Sequence, residues 1–147
     1  IEAIAEQKIS SLYSFSVNGN IYRNKINAFS VHNLYPEPHQ FSMEEQNIIS
    51  GNLKLNNNLR FHGWEGQLIA VYLAPDIIPQ GRIASRFSID AGVKKAIQKG
   101  KGEIFLNAAD LFNTMVIKRE IQGNGFRYTS DDYYETQVIR AGYGYKF

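Results

Sequence analysis

Apolar and polar residues alternate along this chain with a period of two, the period of an extended strand whose successive side chains point to opposite faces. The cleanest run is Ser85 to Lys94, where Ser85, Phe87, Ile89, Ala91 and Val93 oppose Arg86, Ser88, Asp90, Gly92 and Lys94. From Leu12 the chain places Tyr13, Phe15, Val17, Gly19 and Ile21 against Ser14, Ser16, Asn18 and Asn20. Asn47 to Asn56 repeats the pattern, and Leu59 to Leu73 sets Trp64, Gly66, Leu68, Ala70 and Tyr72 on one face. Glu103 to Phe112 reads as a further strand. At the C-terminus Phe147, Tyr145, Tyr143, Ala141 and Ile139 share one face, opposite Lys146, Gly144, Gly142, Arg140 and Val138. Ile1 to Ala5 alternates weakly and runs into a polar stretch, Glu6 to Ser11, expected to end one strand and turn. The sum is six strands and the tail of a seventh.

The connections alternate as well. Short turns are expected near residues 8, 57 and 100, the middle one at Asn56-Asn57-Asn58, whose residues tolerate the positive φ of a tight hairpin. Long connections are expected at 27–46, 74–81 and 113–132. The first holds Pro36, Pro38 and no sustained period; the last holds a strand extension from Met115 to Ile121, a tip at Gly123-Asn124-Gly125 and a return. Short turns at one end and long loops at the other describe an outer-membrane barrel, and the last strand descends from a long loop to end on the short-turn side. The pattern therefore predicts an all-β fold of antiparallel up-and-down strands forming part of a transmembrane outer-membrane β-barrel.

Aromatics near the strand ends fit paired interfacial girdles, with Tyr13, Phe15, Trp64, Tyr72 and Phe87 facing lipid. The terminal strand, with Tyr143, Tyr145 and Phe147 on one face, resembles the closing strand of bacterial outer-membrane barrels, whose terminal aromatic pattern is read by the barrel-assembly machinery. An amphipathic strand at the end of a soluble sheet has the same period.

Composition changes this picture little. A hydrophobic content of 44% in 147 residues suits a globular domain and a barrel alike. The longest apolar run, Leu68 to Ala74, stops at Pro75, far short of the roughly 18 residues of a membrane-spanning helix. There is no Cys, so disulfides and thiolate metal sites are closed off, and a net charge of +2 from 16 basic and 14 acidic residues is too balanced for a nucleic-acid partner. His32, His39 and His62 are scattered, without carboxylates at ligand spacing. Glu44-Glu45 and Asp131-Asp132 read as solvated pairs in polar loops. No nucleophile elbow or phosphate-binding loop is present, and Gly123-Asn124-Gly125-Phe126-Arg127-Tyr128 lacks the basic face and βαβ order of an RNA-binding strand. No enzyme, metal site or cofactor is expected.

Pro79-Gln80-Gly81-Arg82, the strand Ser85 to Lys94, and Asn107-Ala108-Ala109-Asp110-Leu111-Phe112-Asn113-Thr114 look like the C-terminal barrel of TonB-dependent receptors. More narrowly, they are similar to the outer-membrane β-barrel family common in Bacteroidota. The most specific element is Asp110, Leu111, Phe112 and Asn113 followed by Thr114. The likeness extends over nearly the whole chain, from Ile1-Glu2-Ala3 and Lys8-Ile9 onward. It implies a membrane barrel of roughly 22 strands with a plug, of which residues 1–147 are a C-terminal segment. Plug, TonB-coupling box and the remaining strands would lie upstream of Ile1, a start with neither initiator Met nor signal peptide. The partners implied are outer-membrane lipid, the assembly machinery and the TonB system, in the outer membrane of a Gram-negative cell, with an unidentified ligand.

Lys54, Arg86, Asp90, Lys94 and Arg140 line a wet lumen or face the plug in a barrel, and face solvent in a soluble sandwich; a period of two does not say which face is inside. Asp110 is expected to cap or pair near the rim in a structural role. Two rivals to a receptor stand: a soluble β-barrel or sandwich with its aromatic face turned in on a small apolar ligand, and a non-transporting surface protein on the same barrel.

Overall fold

Seven strands with their polar residues on one face pair in sequence order into a single antiparallel sheet. The computed structural model describes residues 1–123 and 125–147. Its strands are β1 (Glu2–Lys8), β2 (Tyr13–Ile26), β3 (Phe29–Asn33), β4 (His39–Met43), β5 (Gln46–Phe61), β6 (Trp64–Leu73), β7 (Asp76–Ile78), β8 (Gly81–Ile83), β9 (Arg86–Ile97), β10 (Gly102–Ala109), β11 (Ile117–Gly123), β12 (Phe126–Asp132) and β13 (Val138–Tyr145). The large sheet runs β1-β2-β5-β6-β9-β10-β13, and the remaining strands form a four-stranded sheet, β12-β11-β8-β7, and the hairpin β3-β4.

Register decides which residues share a face, because paired residues project to the same side. Val17 pairs with Leu55, Leu55 with Ala70, Ala70 with Ile89, Ala91 with Ala108, and Leu106 with Ala141. The odd positions of β2, β5, β9 and β13 and the even positions of β6 thus merge into one apolar face, as the alternation predicted, and the even positions of β10 join them. Lys54, Arg86, Asp90, Lys94 and Arg140 all fall on the opposite face. That polar face is concave: Ser14, Asn58, Gln67, Lys94, Glu103 and Asn107, from five adjacent strands, line one hollow of about 670 Å³. At its floor the ring of Phe105 covers its partner Gly142, where a Cβ would approach the ring to 2.5 Å.

Among the described residues none packs over the convex face. Leu53, Leu68 and Leu106 remain about half exposed at its middle, and among the described residues Ile77 is the one buried apolar side chain, in a loop strand. A soluble sandwich with the aromatic face turned in would bury these leucines instead. Aromatics collect at the two ends of this face. Tyr13, Phe15, Trp64, Tyr143 and Tyr145 lie toward the short turns, and the register partners Tyr72 and Phe87 lie toward the long loops. Trp64 and Tyr72 are eight positions apart, about 26 Å along the strand and about 20 Å after a tilt near 40°. Lys95, on the same face, sets its ammonium 4.7 Å from the Trp64 ring centroid, an amphipathic arrangement suited to an interface.

Several boundaries differ from the sequence expectation. β1 continues through Glu6, Gln7 and Lys8, because these residues pair with Ser16, Phe15 and Ser14. The middle short turn is His62-Gly63, with φ of 47° and 79°, and not Asn56-Asn57-Asn58. The asparagines stay in strand because β2 on one side and β6 on the other both pair with them, and Tyr13 Oη donates to Asn57 Oδ1 at 2.7 Å. β10 stops at Ala109, so Leu111 and Phe112 lie in a turn. Phe147 lies beyond β13 and is fully exposed, its ring edge-on to Tyr145 at 5.3 Å. The stretch 27–46 is folded: Phe29 pairs with Met43 and Val31 with Phe41. The expected tip at Gly123-Asn124-Gly125 includes Asn124, which lies outside the described residues.

The two faces should respond oppositely to charge. Ile89→Arg, near the middle of the convex face, is expected to destabilise the protein in a lipid bilayer by about 2–4 kcal/mol. Gln67→Arg, on the concave face, should stay within about 0.5 kcal/mol. Reversible urea unfolding from liposomes measures both, and equal effects would mean the faces are assigned the wrong way round.

Candidate functional site at the long-loop end

Three long connections leave the large sheet at the end opposite its short turns, spanning residues 27–45, 74–85 and 110–137. Each carries strands of its own. The 74–85 connection pairs with the 110–137 connection through β8 and β11, Arg119 opposite Ile83 and Ile121 opposite Gly81, so two loops distant in sequence make one small sheet. A Cβ on Gly81 would collide with the carbonyl of Glu120, so the close approach of these strands requires glycine there.

The 74–85 connection is folded toward the concave side. Tyr22 and Asn24 lie on the polar face of β2, and both reach the carboxylate of Asp76: Tyr22 Oη donates to Oδ2 and Asn24 Nδ2 to Oδ1, each at 2.8 Å. The Ile77 amide also donates to Asp76 Oδ1 at 2.8 Å. β7 therefore packs against β2 and β5 on the concave side at the long-loop end of the sheet, and its Ile77 is buried there. Burial pushes the Asp76 carboxyl up, but the bonds from Asn24, Tyr22 and the Ile77 amide together outweigh it and hold the group below its ordinary value.

Asp110 performs the same task at the start of the 110–137 connection. It is 3% exposed and held at φ 43°, and Asn113 three residues on has φ 53°. Its carboxylate accepts from the Thr114 amide at 2.9 Å, the Met115 amide at 3.1 Å and the Thr136 hydroxyl at 2.6 Å. One side chain thus ties together both ends of a long loop. The Thr114 hydroxyl sits 2.7 Å from the Phe87 carbonyl and 3.3 Å from Asp110 Oδ1, while the Asp110 amide donates to Asp90 Oδ1 at 2.8 Å. Asp90 is therefore a rim anchor as well as a concave-face charge. Burial raises the Asp110 carboxyl, and the bonds from Thr136, Thr114 and Met115 more than reverse that.

The Asp110-Leu111-Phe112-Asn113 run is thus a turn in which Asp110 and Asn113 set the backbone. Leu111 and Phe112 are partly exposed, and the Leu111 amide donates to the Ile89 carbonyl at 2.7 Å. The residues expected at the interfaces, Tyr13, Phe15, Trp64, Tyr72 and Phe87, are not part of this end-on site; they stand on the convex face. Tyr143 is fixed at the short-turn end, its hydroxyl donating to Gln98 Oε1 at 2.8 Å. The sequence reading missed the Asp76 latch. A lone Asp after Pro75 carries no pattern, and its partners lie far back in the chain at Tyr22 and Asn24.

Between the β3-β4 hairpin and the small sheet lies a cleft of about 490 Å³, with Phe29, Val31 and Phe41 on one wall and Ile78, Ile121 and Phe126 on the other. Among the described residues no three His, Cys, Asp or Glu side chains gather as a metal site, and no helix is long and apolar enough to cross a membrane.

Removing either carboxylate should free its loop locally. Asp110→Ala orphans two amides and a hydroxyl and is expected to cost about 2–4 kcal/mol, read as faster hydrogen exchange at Thr114 and Met115 with the large sheet still protected. Because both carboxyls are depressed in the folded state, their contribution is complete above the ordinary value of 3.8 and is lost as pH falls through the lowered native values. The protection of the Ile77, Thr114 and Met115 amides relative to their intrinsic exchange rates should therefore be constant from pH 7 to about 5 and fall below about pH 4. No such break in either loop would show that the carboxylates do not hold them.

Neither a curated protein nor a solved structure matches the chain. The profile of the outer membrane protein beta-barrel family matches residues 1–145. That match covers every strand of the large sheet, agrees with the polar hollow, the bare apolar face and the two aromatic bands, and places the protein in the outer membrane. The chain belongs to the outer membrane protein beta-barrel family.

Proposed function

We propose that this chain forms the C-terminal wall of a receptor or transport barrel, with its three long loops contributing to ligand capture outside the cell. The observation that carries this reading is the packing of those loops. Two of them share a sheet, one is latched to the polar face of β2 by Asp76, and together with the third they enclose a cleft. Loops ordered by a rigid scaffold are where binding specificity resides.

The sheet itself supports a larger barrel. With seven strands alternating in direction, β1 and β13 run the same way, so bringing these edges together would create a parallel seam unlike every other pairing in the sheet. Antiparallel closure takes an odd number of additional strands. In this reading they come from an upstream part of the same protein, along with a plug in the concave hollow and its coupling to the TonB system. Tyr143, Tyr145 and Phe147 are the residues we assign to recognition by the assembly machinery.

A non-transporting surface protein would share the wall and the loops, so the discriminating readout is uptake. Cells expressing the protein should deplete from the medium at least one compound that is spared when residues 117–132 are replaced by a short Gly-Ser turn. A protonophore should abolish that difference, and heat-modifiable migration in gels should show the barrel still assembled. Identical spent-medium profiles in both strains would favour the surface-scaffold reading.

A further inference from the structure

The cleft between the loops carries information about what it holds. Its lining is aromatic and aliphatic: Phe29 and Phe41 stand 6.0 Å apart with planes tilted by 58°, and facing them Phe126 lies on Gly123, where any Cβ would collide with its ring. Among the described residues, the polar members of the wall are Asn33, His39 and Gln80, and no Asp, Glu, Lys or Arg lines it.

Two further observations bear on the charge a ligand would meet. Asn33 Nδ2 lies 2.9 Å from His39 Nε2, and His39 Nδ1 lies 3.0 Å from the Glu37 carbonyl. In this arrangement the Asn33 amide group faces the ring and the other ring nitrogen faces the Glu37 carbonyl. That leaves Asn33 Oδ1 as an acceptor at this end of the cleft. On the other wall, the ionised side chains of β11 and β12 are matched with one another: Lys118 with Asp131, Arg119 with Asp132, and Glu120 with Arg127. A charged ligand entering the cleft would lose water without meeting an opposite charge.

We infer that this cleft binds an uncharged ring compound, its flat apolar body between Phe41 and Phe126 and a hydrogen-bond donor on Asn33. Its volume falls in the range of small-molecule sites. The inference rests on the receptor reading and names the ligand class of that same site.

Three probes of one size test it: benzamide, benzoate and benzylamine, observed by saturation-transfer NMR with the protein in lipid nanodiscs and empty nanodiscs as the blank. Benzamide should bind saturably, and each charged probe about tenfold more weakly or worse. Replacing both Phe41 and Phe126 by Ala should weaken benzamide about tenfold, the scale of losing a central aromatic contact. Phe41→Asp should turn the preference toward benzylamine, a reversal that a merely loosened hairpin does not produce. Equal binding of all three probes, benzamide binding unaffected by the double substitution, or no saturable binding would each overturn the inference. If uptake still depends on residues 117–132 while benzamide fails to bind, the receptor reading stands and the assignment of the cleft alone falls. If benzamide binds as expected and uptake is unchanged, the cleft is assigned correctly on a surface scaffold.

Discussion

Backbone hydrogen bonds in hydrocarbon have no water to fall back on, and every other feature of this chain depends on that. A strand crossing a bilayer must give all its N–H and C=O groups to its neighbours, which is why the seven strands of the large sheet pair in one unbroken ladder. It also explains why the three asparagines from Asn56 to Asn58 remain in strand. Released into a turn, they would take Ser14, Phe15 and Ser16 out of register with them. The apolar side chains then have no inward task. They stay on the outside, half exposed to whatever surrounds the wall, and the interior is left to Ser, Asn, Lys, Arg, Asp and Glu.

That inversion moves the conventional sources of stability to the end of the molecule. Ile77, the apolar residue buried among the described ones, and Asp110, buried and fully bonded, both belong to the long connections. These segments lie outside the lipid, where ordinary rules apply: apolar surface is buried against protein, and a buried carboxylate survives because amides and hydroxyls surround it. Asp76 and Asp110 do parallel work. Each fixes one loop to the barrel wall, the first through Tyr22 and Asn24 on β2 and the second through Thr114 and the Asp90 contact on β9. With both loops fixed, β8 and β11 come close enough to pair, and the cleft beside β3-β4 takes its shape from that pairing.

Much of the wall was legible from sequence because its physics is local. Period-two alternation at Ser85 to Lys94 or Tyr13 to Ile21 reports a strand with two unlike environments, and the spacing of short and long connections reports direction. Boundaries were less legible. Glu6-Gln7-Lys8 reads as a turn and Glu103 to Phe112 as one strand, yet the first continues because β2 offers partners, and the second stops where Asp110 turns at positive φ.

The sequence by itself determined that there are two faces, which residues lie on each, and that the connections are long at one end only; these follow from the pleat and from Gly, Pro and Asn chemistry. The tertiary structure decided which face is concave, because curvature belongs to the whole sheet and no single strand encodes it. It also decided that the long loops are folded rather than loose. The partners that fold them, Tyr22 for Asp76, Thr136 for Asp110 and Gly81 for Ile121, are distant in sequence, and only the folded chain brings such residues side by side.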